Sequence, residues 1–126
     1  MTGIVIEVEN RSGLPVDAPA ARQLARDVLT AQRIESGDLG IAFVGPDEIR
    51  RLKQEHLGID EATDVLSVPI DGTGELPGGL PRQLGDVVIC PQVVGEEWRR
   101  PLVHGLLHLL GYDHGSVMTE LEDSLA

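Results

Sequence analysis

Cysteine, aromatic rings and positive charge are all scarce in this chain, and each shortage removes a class of protein. Cys90 is the single cysteine among 126 residues, so no internal disulfide can form and a reducing compartment is expected. Its apolar neighbours Val87, Val88 and Ile89 predict a small buried strand residue rather than a reactive thiol. Phe43, Trp98 and Tyr112 are the only aromatic residues, which leaves Val, Leu, Ile and Ala to fill the core. No apolar run approaches the roughly 18 residues that cross a bilayer. The start Met-Thr-Gly-Ile-Val-Ile-Glu lacks the basic-then-apolar pattern of a secretory signal. A cytoplasmic protein with no membrane partner is expected. Ten Lys and Arg stand against 21 Asp and Glu, a formal net charge of −11. That sum disfavours a phosphate-backbone partner, yet Arg50, Arg51 and Lys53 cluster, and Arg99 and Arg100 form a second basic pair. Charge alone leaves the partner open.

The length suits one domain, residues 1–126, able to bury about two-thirds of its unfolded surface in a single core. Ile4 to Glu9 alternates and is β-branched, a first strand. Asp17 is a suitable N-cap and Pro19 fits a first helical turn. From there Ala21, Leu24, Ala25, Val28 and Leu29 recur at helical spacing to about Arg33. Ile41 to Val44 reads as a second strand, and Asp47 to about His56 as a short helix with Ile49 and Leu52 inward. Val65 to Ile70 and Asp86 to Cys90 read as two further strands. The Gly- and Pro-rich stretch 71–81 between them predicts a loop and an antiparallel pair. A helix from about Glu96 or Pro101 to Leu110 and a last one capped by Ser116 complete the order. The expected fold class is α+β, a mixed four-stranded sheet packed with helices.

Three of the four histidines fall in the run His104-Gly105-Leu106-Leu107-His108-Leu109-Leu110-Gly111-Tyr112-Asp113-His114. Residues four apart share one helix face, so His104 and His108 can aim both imidazoles at one point. Gly111 sits where a helix commonly ends in a left-handed residue, after which the chain can return His114 to that point. Three neutral imidazoles leave the fourth corner of a tetrahedral zinc open to water, the arrangement of a catalytic site. Packing alone is a poor account of the run, because an imidazole in a leucine wall needs partners for both nitrogens. One zinc ion is the expected cofactor, with no organic one.

Zinc lowers the pKa of bound water to around 7 and polarises carbonyl or phosphoryl oxygens, so the metal implies a hydrolase without naming the bond. Metalloproteases place a glutamate directly after the first histidine as general base. Gly105 holds that position. Losing such a base typically costs 10²–10⁴-fold, which demotes peptide hydrolysis.

The run HGLLHLLGYDH, preceded by ATDVLSVP at 62–69 and LGDVVI at 84–89, resembles the YbeY family of bacterial rRNA maturation factors. The match covers about residues 40–122 and takes in Met118 and Glu122. The resemblance implies one zinc-protease-like α+β domain with zinc ligands at His104, His108 and His114. It further implies a single-strand-specific, metal-dependent endoribonuclease acting in 16S rRNA 3′-end maturation and ribosome quality control, with rRNA and the ribosome or its proteins as partners. Zinc-activated water would attack the phosphodiester, or zinc would orient the phosphate for attack by the ribose 2′-OH.

Within that resemblance Asp64 and Asp86 are the carboxylates to consider as base or as orienting groups. Asp113, beside a ligand, is a candidate to orient an imidazole, and Ser67 to hydrogen-bond substrate. Local capping and backbone bonds are the competing accounts of Asp64 and Asp86. Tyr112 is expected to be a packed ring. Two departures stand out. Leu57 occupies a place where many relatives carry arginine, which turns attention to Arg50, Arg51 and Lys53 for phosphate. The stretch from Ile89 to His104 is also shorter than usual. A non-catalytic, zinc-stabilised ribosome-associated factor is the competing function.

Overall fold

Two-residue alternation lays down the sheet, and helical stripes cover it. The structure, a computed structural model, describes residues 3–56, 65–71, 82–112 and 115–126. In chain order the elements are β1 (Ile4–Asn10), α1 (Ala18–Ala31), β2 (Gly37–Phe43), α2 (Pro46–His56), β3 (Val65–Pro69), β4 (Gln83–Ile89), α3 (Pro91–Val94), α4 (Arg99–Leu109) and α5 (Ser116–Leu125). The sheet order is β1-β2-β4-β3. β1, β2 and β4 run parallel, and β3 is antiparallel to β4 with Ser67 opposite Val87. The expected α+β class, the mixed four-stranded sheet and the antiparallel pair are all present.

Alternation sorts the strands into two faces. Ile6, Leu39, Ile41, Phe43, Val87 and Ile89 point to one face and pack with α1 and α4 in the main core. Ala42, Leu66, Val68 and Val88 point to the other face, where Ile49 and Leu52 of α2 cover them. Fully burying such an aliphatic side chain stabilises the fold by about 1.5–3 kcal/mol. α2 and α4 therefore lie on opposite sides of the sheet.

Helix ends follow local chemistry. Asp17 Oδ1 accepts from the Ala20 amide at 3.0 Å, as an N-cap should. α1 stops at Ala31 instead of near Arg33 because Arg33 adopts φ +62°, which cannot continue a right-handed helix. Ser116 does not cap α5: Gly115 holds the cap position and Ser116 is the first helical residue. β2 starts at Gly37, four residues before the expected strand, because its backbone pairs with β1 along that whole length. The segment before the histidines forms the four-residue α3 and then a fresh start at Arg99, with Pro101 inside the first turn. Trp98 anchors that start, edge-on to Phe43 with centroids 6.4 Å apart and with the Arg99 guanidinium 4.5 Å from its ring centroid. Cys90 is fully buried, as expected, but stands one residue past β4 as the N-cap of α3.

Candidate metal centre

Leu102, Val103, Leu106, Leu107 and Leu109 bury α4 in the core, and Gly105 lets it settle onto the sheet. A Cβ on Gly105 would stand 2.7 Å from Val87 Cγ1 and 3.1 Å from both Ser67 Oγ and Val65 Cγ2. The Ser67 hydroxyl donates to the Gly105 carbonyl at 2.8 Å and ties the two surfaces together. The position that carries the general base in metalloproteases here faces the Val87 and Val65 methyls and the Ser67 hydroxyl, and a side chain there would have to push them aside. That is a steric reason for the missing glutamate.

His104 and His108 leave the same face of α4, their rings 4.6 Å apart between centroids and inclined at 82°. Their Nε2 atoms approach to 3.0 Å. His108 Nδ1 donates to the Tyr112 carbonyl at 2.9 Å. A carbonyl only accepts, so the proton of the neutral ring sits on Nδ1 and Nε2 presents its lone pair. His104 Nδ1 donates to Glu122 Oε1 at 3.2 Å, which sets the same tautomer. Two lone pairs held this close repel unless a cation sits between them. Nitrogens each about 2.05 Å from a tetrahedral zinc stand about 3.3 Å apart, close to the observed spacing. The donor set fits a metal.

Each orienting group has its own local cause. α4 ends with Gly111 at φ +97°, its amide bonded to the His108 carbonyl and the Tyr112 amide to that of Leu107. This paired cap turns the Tyr112 carbonyl back towards His108. The Tyr112 ring packs against the core and its hydroxyl donates to Gln32 Oε1 at 2.7 Å. Glu122 comes from α5, on the same buried side as Met118. Arg100, one turn before His104, reaches Glu122 Oε1 at 3.7 Å and Asp123 Oδ1 at 2.7 Å.

Beside His104 opens a groove of about 470 Å³, lined by Val65, Val93, Val94, Glu97, Arg100, Pro101, His104 and Glu122. Of the residues singled out in the sequence, His104 lines this groove and pairs with His108, and Ser67 lies under their helix. Ser67 spends its proton on α4, so its clearest role is to hold that helix. Asp86 corrects the expectation: next to inward-facing Val87 it must point outward, and it lies over Gly40 on the sheet face opposite the histidines. Arg50, Arg51 and Lys53, the expected phosphate contacts, lie apart from the histidines. They ride on α2, on that opposite face, and none lines the groove. Arg50 faces Asp47 and Arg51 faces Glu55 on their own helix, at 3.9 Å each. His114, Asp64, Asp113 and Leu57 lie outside the described residues, and no three potential ligands cluster among the described ones. Glu122 was visible only as part of an acidic tail. Its signal was a charge four residues after Met118, on the buried stripe of α5.

A helix bearing two imidazoles, each steered by its own acceptor and packed on a mixed sheet, defines a histidine-centred α+β class of protein. The chain belongs to the YbeY family, whose sequence model, described as endoribonuclease YbeY, matches residues 6–124. It is 36% identical to an endoribonuclease YbeY of Salinispora tropica over 93% of this chain and 87% of that protein. It is 38% identical to that of Thermobifida fusca over 86% and 80%, and 37% identical to that of Acidothermus cellulolyticus over 94% and 84%. The solution structure of TM1509 from Thermotoga maritima shares the fold, with TM-score 0.56 at 23% identity over 96% of this chain and 86% of that one. Among the described residues no helix is long and apolar enough to cross a membrane.

Proposed function

We propose that this protein is a zinc-dependent endoribonuclease that cuts single-stranded RNA in 16S rRNA 3′-end maturation and ribosome quality control, in the cytoplasm and without an organic cofactor. Its partners in this reading are rRNA and the ribosome or ribosomal proteins. The observation that carries it is the 3.0 Å approach of two Nε2 atoms whose tautomers are both set by acceptors behind them. The names of the relatives supply the bond to be cut. His104, His108 and His114 would hold one zinc ion, which supplies Lewis acidity and a water acidic enough to react at neutral pH.

Glu122 and the Tyr112 carbonyl keep the two imidazoles turned towards the ion, and the leucines of α4 exclude solvent behind them. Val87 and Gly105 keep a protease-type carboxylate away, which disfavours peptides as substrate. Asp64 and Asp113 are the proposed candidates for proton transfer and for orienting the third imidazole. A non-catalytic, zinc-stabilised ribosome-associated factor is the second reading, favoured by the net charge of −11.

The test compares zinc-loaded protein with its His108→Ala variant on single-stranded RNA, structured RNA and an unfolded protein. Zinc-dependent cutting of single-stranded RNA, lost in the variant, supports the endoribonuclease. Tight zinc with no turnover supports the second reading. RNA cutting that survives the substitution would mean a contaminant and sink the assignment.

A further inference from the structure

We propose that Arg100 is the residue that positions the RNA strand in the groove, gripping the phosphate next to the scissile one; this rests on the endoribonuclease reading above. Arg100, His104 and His108 fall at intervals of four on α4 and form one stripe, each step about 6 Å along the axis. The guanidinium therefore stands one turn from the imidazole pair, on the same side. Among the described residues it is the only cation lining the groove. Arg99 is turned onto Trp98, and Arg50 and Arg51 lie on α2 behind the sheet. Glu97 and Glu122 would otherwise give the groove a negative lining, which repels a phosphodiester.

The present partners of Arg100 prepare it for exchange. Its side chain is 50% exposed and pairs with Asp123, itself 61% exposed, while Glu122 Oε1 lies at 3.7 Å. An exposed pair of this kind has little net worth. A phosphate presents two oxygens to the planar fork in a stronger, charge-assisted pairing. Asp123 holds the guanidinium at the groove mouth until the strand arrives. Val65, Val93, Val94 and Pro101 add an apolar wall for the face of an unpaired base. Among the described residues this wall has no aromatic ring and few polar edges, so it accepts a base without selecting one.

The test uses the zinc-loaded full chain, a labelled unstructured RNA, and the variants Arg100→Gln and Arg100→Lys. Arg100→Gln is expected to raise KM about tenfold, the effect of one charge-assisted bond, with kcat largely retained. The slope of log(1/KM) against log salt should flatten by about 0.7, the value for one lost phosphate contact on a single strand. Arg100→Lys should restore the salt slope and part of KM. Zinc affinity, read by chelator competition, should stay within about twofold. If Arg100 acts only as a brace for Glu122, zinc affinity and kcat fall while KM and the salt slope hold, and the proposal is overturned. Unchanged kinetics in Arg100→Gln with an active parent overturn it alone. A parent inert towards RNA overturns it together with the endoribonuclease reading.

Discussion

Val87 Cγ1 lies 2.7 Å from where a Cβ on Gly105 would stand, so a side chain at 105 has to push α4 or the valine aside. Alanine at this position gains about 1 kcal/mol of helix propensity. Against that, a methyl group driven into a β-branched wall costs about 1–3 kcal/mol in strain, and the wall here is held by sheet pairing. Gly105→Ala should therefore be less stable by about 1 kcal/mol, with a Tm lower by about 2–6 °C. A melting point equal to or above that of the parent, by calorimetry, would show that the helix lifts at no cost.

Glu122 is expected to tune the metal. Glu122→Gln keeps the shape and an acceptor for His104 Nδ1 but removes the negative charge behind the ring. Zinc affinity should fall about 10- to 100-fold. Chelator competition at fixed pH reads this directly, and equal affinities in the two proteins would reduce Glu122 to a packing residue.

Gly111 joins helix termination to the orientation of the His108 imidazole. At φ +97° an alanine is strained by about 1–2 kcal/mol. Gly111→Ala should lower metal-free stability by that amount in urea titration. It should also weaken zinc, because the Tyr112 carbonyl moves with the cap. A loss of stability with zinc affinity intact would separate the two roles.

The Arg11–Glu48 pair should make stability depend on acid. The Arg11 hydrogen bond holds the Glu48 carboxyl below its ordinary 4.5, and Glu48 in turn raises Arg11. Arg11 Nη2 meets Glu48 Oε2 at 2.6 Å, while Nη1 pairs with Glu9. A depressed carboxyl pKa stabilises the fold fully above the unfolded value and ceases to do so as pH falls through the folded one. Glu48→Gln should thus be less stable at pH 6–7 by about 0.2–1 kcal/mol, a modest figure because solvent screens the pair. The gap between parent and variant should close as pH drops below 4.5. A gap that stays constant down to pH 3 would show that the ion pair does not contribute.

Much of this was legible in the residues. Asp17, Pro19 and the stripe from Ala21 to Leu29 specify α1, since cap chemistry and period agree. The i, i+4 histidines and Gly111 specify both the paired imidazoles and the end of their helix. Other features depend on contacts that one sequence does not display. Asp86 sits among Val87, Val88 and Ile89, all buried, so alternation along β4 is hidden and the outward side is decided only by which valine meets α4. α2 carries an apolar stripe that could cover either sheet face, which left the reach of Arg50, Arg51 and Lys53 undetermined. Glu122 stands 18 residues from His104, and only the packing of α5 on α4 makes them neighbours. Gly37 and Asp38 have little strand preference of their own, and pairing with β1 recruits them.

The two imidazoles are steered by different kinds of matter. His108 answers to a peptide oxygen, which every amino acid at position 112 would still supply; His104 answers to a carboxylate that one codon change can erase. Drift among relatives should accordingly detune the first imidazole of the pair far more readily than the second.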